Sequence, residues 1–235
     1  MVEITLEGPG KNSLGTEMMR FLRDRLRAAQ GAPVLLCGAG DAFSAGLNLK
    51  ELAGLDEAGM AAFLDALEGV ICDLYLYPGP TVAWVNGHAI AGGCVLALCC
   101  DRAVAHANPK LKIGLNEVAL GLRFPPRTWE IVRRRIPPRH HEQVLLGAGL
   151  HNPEAALRLG LVDEVSPDAG EAARATLGEL AALPPAAYAA AKRDLRGAKA
   201  SDLVTDRACQ ERLRELMPAW TSPELKARLM AALKR

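Results

Sequence analysis

Aromatic side chains are scarce here, at only 4% of 235 residues. That argues against base-stacking platforms, aromatic cages and carbohydrate-gripping clefts, all of which need exposed rings. Excess charge is lacking too: 28 basic and 27 acidic residues leave a net charge of +1, so no long-range field draws the chain to nucleic acid or to anionic lipid. No CxxC pair, HExxH or Cys/His ligand spacing occurs, and no metal site is expected. GxSxG is absent, which removes the nucleophile-elbow hydrolases. MVEITLEGPGKNSL has no cationic start followed by an apolar stretch, so no signal peptide is expected.

What is present points to a buried core. Half of the residues are hydrophobic, which excludes disorder at this low charge. A chain this long hides roughly 70–75% of its unfolded surface in one large domain. The six cysteines, Cys37, Cys72, Cys94, Cys99, Cys100 and Cys209, lie mostly in apolar runs such as PVLLC and CVLALCC. They suit buried thiols in a reducing compartment. Residues 81–100 carry no charge, yet Asn86, Gly87, His88 and the Gly92-Gly93 pair interrupt them. A strand, a glycine turn and a buried helix are predicted there in preference to a membrane span.

Along the chain, strands are predicted at Val2 to Leu6, 33–37, TVAWVN, RAVAH (102–106) and LVDEV (161–165). Helices are predicted from about Thr16, with Met18, Phe21, Leu22 and Leu26 on its apolar face, and from about Asp56. The second has a buried stripe of Met60, Phe63, Leu64, Leu67, Val70, Ile71 and Leu74. Strands alternate with helices to about residue 167, an α/β pattern. Residues 168–235 are nearly all helical. This predicts an α/β core over 1–167 and a C-terminal helical region over 168–235, suited to oligomer contacts and to closing a pocket.

GAGDAF at 38–43 begins like a dinucleotide fingerprint, but Phe43 stands at the third glycine position and no ribose-gripping acid follows suitably. The arginines at 123, 127, 133, 134, 135 and 139 fit a solvated helix face better than a nucleic-acid footprint. A small phosphorylated ligand stays compatible with them.

Two segments carry more than packing. FSAGLNLKEL (43–52) and NGHAIAGGCVLAL (86–98) are small-residue turns running into helices. Each offers free backbone N–H groups at a helix start, and two aimed at one point make an oxyanion site. Ordinary tight turns fit the same residues equally well. In LKIGLNEVAL (111–120), Glu117 sits in a stretch otherwise apolar apart from Lys112 and Asn116. Burial there would raise its pKa and suit it to take and return a proton. An exposed glutamate at a loop or helix start fits the pattern as well.

FSAGLNLKEL, VNGHAIAGGCVLALCCDRAVA, IGLNEVALGL and ALRLGLVDEV, with GKNSL before them and AAAKRDL (189–195) after, follow the order seen in the enoyl-CoA hydratase/isomerase (crotonase) superfamily. The sequence resembles that family over nearly its whole length. The resemblance implies an α/β, crotonase-like spiral of ββα units with a C-terminal helical region, assembled as homotrimers or dimers of trimers. It implies an acyl-CoA thioester as ligand, with coenzyme A part of the substrate and no separate cofactor. By motif position the thioester oxygen sits between the N–H groups of Leu47 and Gly92, with Ala45, Gly46, Asn48, Gly93 and Val95 around the ligand. Lys11 and Lys50 are the candidates for the coenzyme A phosphates. Hydratases of the family use two glutamates; the first position is Val95 here and the second is Glu117. Asn48 stands where the family usually has aspartate.

With one glutamate, the sequence looks most like the Δ3,Δ2-enoyl-CoA isomerases of fatty acid β-oxidation. Other expectations compatible with the family are a hydratase, hydrolase, dehalogenase or decarboxylase, or a non-catalytic acyl-CoA-binding subunit. The Ala-, Leu- and Arg-rich composition suggests a bacterial, cytoplasmic protein.

Overall fold

The computed structural model describes residues 1–233. In chain order the elements are β1 (Val2–Leu6), α1 (Pro9–Asn12), α2 (Thr16–Ala29), β2 (Val34–Gly38), β3 (Ala42–Ser44), α3 (Leu49–Gly54) and α4 (Glu57–Tyr75). Next come β4 (Thr81–Val85), β5 (His88–Ile90), α5 (Gly92–Cys99), β6 (Arg102–His106), β7 (Ile113–Gly114), α6 (Glu117–Leu120) and α7 (Pro126–Arg135). A π-helical turn (Glu142–Leu146) precedes α8 (Pro153–Leu159) and β8 (Glu164–Ser166). The chain then runs through α9 (Ala169–Ala181), α10 (Pro185–Arg196), α11 (Ala200–Leu203), α12 (Asp206–Trp220) and α13 (Pro223–Ala232).

Every strand pairing is parallel, and the strands fall into two sheets, β1-β2-β4-β6-β8 and β3-β5-β7. Three successive ββ pairs, each followed by helix, give one strand to each sheet, which is the spiral of ββα units. Strands buried on both faces read as continuous apolar runs, and Val34–Gly38 is buried at every position. The GAGDAF turn joins β2 to β3 and starts no helix, unlike a dinucleotide site. Residues 81–100 are β4, β5 and α5; among the described residues no helix is long and apolar enough to cross a membrane.

Helix α4 begins where Asp56 caps it, its carboxylate accepting from Gly59 N–H at 2.8 Å. Its expected stripe is buried throughout. On α2, Met18, Leu22 and Leu26 are buried together with Met19, but Phe21, expected with them, is 41% exposed. The i, i+4 spacing from Met18 carries the buried row past Phe21, which falls at its edge. Position 167 lies between β8 and α9. Helix α9 nevertheless belongs to the core: Ala169, Ala173 and Leu177 pack on Leu35, Val82 and Val104 of the larger sheet.

A buried ionic cluster fastens α10 to the far end of α5. Asp101 Oδ1 accepts from Lys192 Nζ at 2.8 Å and Arg196 at 3.0 Å. Its Oδ2 accepts from the Tyr188 hydroxyl at 2.8 Å and Thr81 N–H at 2.7 Å. Arg196 also donates to the Tyr75 and Cys99 carbonyls at 2.9 and 3.0 Å, and Arg135 to those of Leu98 and Cys100 at 2.7 and 3.1 Å. The bonds to Leu98, Cys99 and Cys100 fill acceptors that the last turn of α5 leaves open and place cations at its negative dipole end, and the bond to Tyr75 does the same at the end of α4. Arg196→Met removes one buried partner and strands several others, so the expected loss is about 3–5 kcal/mol of stability. Thermal denaturation checks this; an unshifted Tm would show that the cluster is dispensable.

Candidate active site

The three strands of the small sheet end side by side, with Ser44 paired to Ala89 and Ala89 to Ile113. Leu47 comes three residues after β3, Gly92 two after β5 and Glu117 three after β7. All three therefore leave the carboxyl end of one parallel sheet, where α/β folds bind ligands. Leu47 and Glu117 line a cavity of about 130 Å³ together with Ala45, Leu49, Ile90, Ala91, Asn116, Leu120, Leu122 and Ala232; Gly92 is not part of the lining but follows directly on Ala91, which is. Ala232 comes from α13, so the C-terminal helical region closes the cavity within the same chain.

Leu47 is held by a parallel bridge to Leu14: Leu14 N–H donates to the Gly46 carbonyl at 2.7 Å and Asn48 N–H to the Leu14 carbonyl at 3.0 Å. Such a bridge uses the neighbours' groups and turns Leu47's own N–H to the opposite side. Gly92 opens α5, where N–H groups have no helical partner. Among the described residues, neither N–H donates to a protein acceptor. Glycine lets these two loops meet. A Cβ at Gly46, which has φ +87°, would stand 2.6 Å from the Ile90 carbonyl oxygen. A Cβ at Gly93 would run into that of Ser44.

Two supports lie behind the loops. Asn12, buried, donates from Nδ2 to the Ala39 and Ala42 carbonyls at 2.9 and 2.8 Å, while its own carbonyl accepts from Ser44 Oγ at 2.8 Å. Ala91 holds φ 49° and ψ −121°, a conformation costly for any residue with a Cβ, on the order of 1–3 kcal/mol. Its N–H donates to the Gly114 carbonyl at 2.8 Å and its carbonyl accepts from Val95 N–H at 3.0 Å. This constrained residue lines the cavity itself and sets where Gly92 begins α5.

Glu117 is 6% exposed at the first position of α6. Gly121, at φ 77°, ends that single turn, and Leu122 N–H closes back onto the Glu117 carbonyl at 2.9 Å. Glu117 Oε2 is buried without a hydrogen-bond partner, as is the neighbouring Asn116 Oδ1. Burial pushes the Glu117 carboxyl up to about 8, with its own backbone N–H pulling weakly the other way. A base must be ionised to accept a proton, so activity depending on Glu117 rises with pH through about 8 and levels off above it. The kcat/KM profile checks this, because it reports the free protein; a limb near pH 4.5 would contradict it.

Of the other expected residues, Gly46 and Gly93 are buried behind the lining, and Val95 is buried one turn into α5. Asn48 caps α3, its Oδ1 accepting from Glu51 N–H at 3.2 Å. Lys11 and Lys50, expected at the coenzyme A phosphates, line no part of the cavity. Lys11 pairs with Asp41 at 2.9 Å on the surface, and Lys50 is exposed in the first turn of α3. Sequence reasoning passed over Asn12, Ala91, Asn116, Leu122 and Ala232. Asn12 alone had a signal, in GKNSL.

The family model described as enoyl-CoA hydratase/isomerase matches residues 1–224. The chain belongs to that family. Mouse mitochondrial enoyl-CoA delta isomerase 1 is 33% identical over 209 residues, covering 86% of this chain and 72% of the mouse protein. Crotonyl-CoA hydratase of Syntrophomonas wolfei is 30% identical over 159 residues, covering 66% and 60%. The crystal structure of human mitochondrial delta3-delta2-enoyl-CoA isomerase superposes with a TM-score of 0.90 at 29% identity, covering 99% of this chain and 92% of that one. The enoyl-CoA hydratase of Bacillus halodurans gives 0.84 at 27%, covering 97% and 95%. This family member is therefore a crotonase-fold acyl-CoA enzyme, similar to both isomerases and hydratases.

Proposed function

We propose that the protein shifts the double bond of a 3-enoyl-CoA to give the 2-trans-enoyl-CoA. The observation that carries this reading is the single carboxylate: Glu117 is buried in the cavity, and Val95, one turn beyond Gly92, is an apolar residue 1% exposed. Adding water across a double bond needs that water held and activated, and a valine does neither. Moving a double bond needs one group that works twice. Ionised Glu117 takes a proton from C2, which is acidic because the thioester carbonyl is next to it. The electron pair spreads over a dienolate, and the N–H groups of Leu47 and Gly92 receive the charge that builds on the thioester oxygen. The Glu117 carboxylic acid then returns the proton at C4, restoring the carboxylate. A pKa near the working pH suits both halves of that exchange.

The thioester arm exits toward the surface, where Lys11, Lys50 or an arginine from 123–139 would meet its phosphates. The expected assembly is a homotrimer or a dimer of trimers. The test is ultraviolet detection of conjugated enoyl thioester formed from a trans-3-enoyl-CoA, run beside hydration of crotonyl-CoA. Isomerisation should far exceed hydration; equal rates would overturn the single-carboxylate reading. Binding without turnover of either ester would instead indicate a non-catalytic subunit.

A further inference from the structure

Among the described residues, only two of the side chains lining the small cavity are polar, Asn116 and Glu117; the rest are hydrocarbon. Each of the two holds a buried oxygen without a hydrogen-bond partner, Oδ1 of Asn116 and Oε2 of Glu117. Buried acceptors are nearly always paired, so two unpaired ones in a single cavity call for a cause. Asn116 also forgoes its ordinary use. It stands at the N-cap of α6, where an asparagine oxygen normally accepts from a backbone N–H two or three residues on, and it makes no such bond. Asn48 and Asn152, at the N-caps of α3 and α8, do so at 3.2 and 2.9 Å. The Asn116 amide is left to the cavity.

The chemistry limits what an acceptor there can meet. The reacting carbons of a 3-enoyl thioester carry only C–H bonds, and the first N–H of coenzyme A lies beyond the sulfur, on the arm leading out. The one donor created inside the cavity is the O–H of Glu117 once it has taken the C2 proton. Resting on the isomerase reading, we infer that Asn116 is a positioning residue whose Oδ1 accepts from the Glu117 O–H while that acid carries the proton from C2 to C4. The C2–H bond breaks as the Glu117 O–H bond forms, and the O–H bond breaks as the C4–H bond forms. Asn116 neither gains nor loses a proton. One proton thereby satisfies two oxygens, fixes the rotamer of the acid and slows its exchange with solvent.

Removing the acceptor favours the ionised form of Glu117, whereas added hydrocarbon favours the neutral one, so the direction of the shift separates the two effects. In Asn116→Leu the Glu117 carboxyl should fall from about 8 by about half a unit to one unit, the size of one neutral hydrogen bond. The Cys94 thiol of α5 is held protonated by burial. Arg228 of α13 stands beside Gly121, and a guanidinium stays charged throughout. The measurement is a carbon-13 NMR titration of protein labelled at its glutamate carboxyls, the Glu117 signal being assigned by its absence in Glu117→Gln. Asn116→Val, apolar and smaller than leucine, should shift the same way and serves if the leucine variant does not fold. With a 3-enoyl-CoA deuterated at C2, both variants should lose about tenfold in kcat and retain less deuterium at C4, while binding of a saturated acyl-CoA stays within a few-fold.

A titration that moves upward or not at all overturns the inference, because the amide would then face Glu117 with its NH2 or not at all. Loss of saturated acyl-CoA binding with the titration unchanged also overturns it and assigns Oδ1 to a coenzyme A N–H. If the native protein isomerises no 3-enoyl-CoA, the isomerase reading falls by itself; the titration needs no turnover and decides the contact between Asn116 and Glu117 separately.

Discussion

Glu117→Gln should lower the turnover of a 3-enoyl-CoA by roughly three to four orders of magnitude, the upper part of the range for a positioned general acid–base. Glutamine keeps the size and one acceptor oxygen but cannot accept the C2 proton. Among the described residues, Glu117 is the only carboxylate lining the cavity, so no second group covers for it. Binding of a saturated acyl-CoA should stay within a few-fold, since the proposed site holds the thioester oxygen by main-chain N–H groups and not by this side chain. A variant retaining turnover would remove Glu117 from the chemistry.

The same change should raise stability at high pH. Folding raises the Glu117 pKa from 4.5 to about 8, so the folded state holds its proton where the unfolded chain has lost it. The native protein therefore loses stability as pH climbs from about 4.5 to 8, and the loss is constant above. Each unit of raised pKa corresponds to about 1.4 kcal/mol, so the neutral variant should be more stable than the native protein at pH 9 by several kcal/mol. Denaturation at pH 5 and pH 9 checks the sign: the advantage of the variant should be small at the first and large at the second.

Gly46→Ala should lower kcat by about 100- to 1,000-fold with far less effect on binding of saturated esters. The new Cβ meets the Ile90 carbonyl oxygen at 2.6 Å on a backbone held at φ +87°. Both are main chain, so the Leu47 and Gly92 loops must separate. Losing alignment of one oxyanion donor costs about 3–4 kcal/mol at the transition state. Gly40→Ala is the control. Gly40 also has positive φ, at +69°, but nothing lies within 4 Å of its Cβ position. Both variants carry backbone strain, but only the first disturbs the two donors. Equal losses of turnover in the two would show that strain alone, and not donor placement, is responsible.

Much of this arrangement is legible in the sequence because its signals are local. The α4 stripe, the apolar run of β2 and the small residues flanking Leu47 and Gly92 each follow from spacing within a few positions. What is illegible depends on residues distant in the chain. The burial of Glu117 is set by α5 from one direction and by α13, over a hundred residues later, from another. Local pattern therefore left its exposure open. Ala91 has the side chain of an ordinary helix former, and its positive φ goes with a hydrogen bond from its N–H to the Gly114 carbonyl on β7, a partner distant in the chain. Lys11 sits near the loops in sequence, yet its side chain turns out to Asp41. Helix α9 packs on Leu35, Val82 and Val104 of the larger sheet, whereas Leu216, Trp220, Leu225 and Leu229 of α12 and α13 enter the main core, a difference set by partners distant in the chain.

The central claim is that one carboxylate carries one proton from C2 to C4 in a site closed to water. It is tested most directly by turning over a 3-enoyl-CoA deuterated at C2 in ordinary water and locating the label by mass spectrometry and NMR. Glu117 Oε2 is buried without a partner, so exchange with solvent should be slow and a substantial fraction of product should carry deuterium at C4. Product whose C4 hydrogen comes wholly from solvent would contradict the account, since it would mean that a second acid or an admitted water delivers the proton.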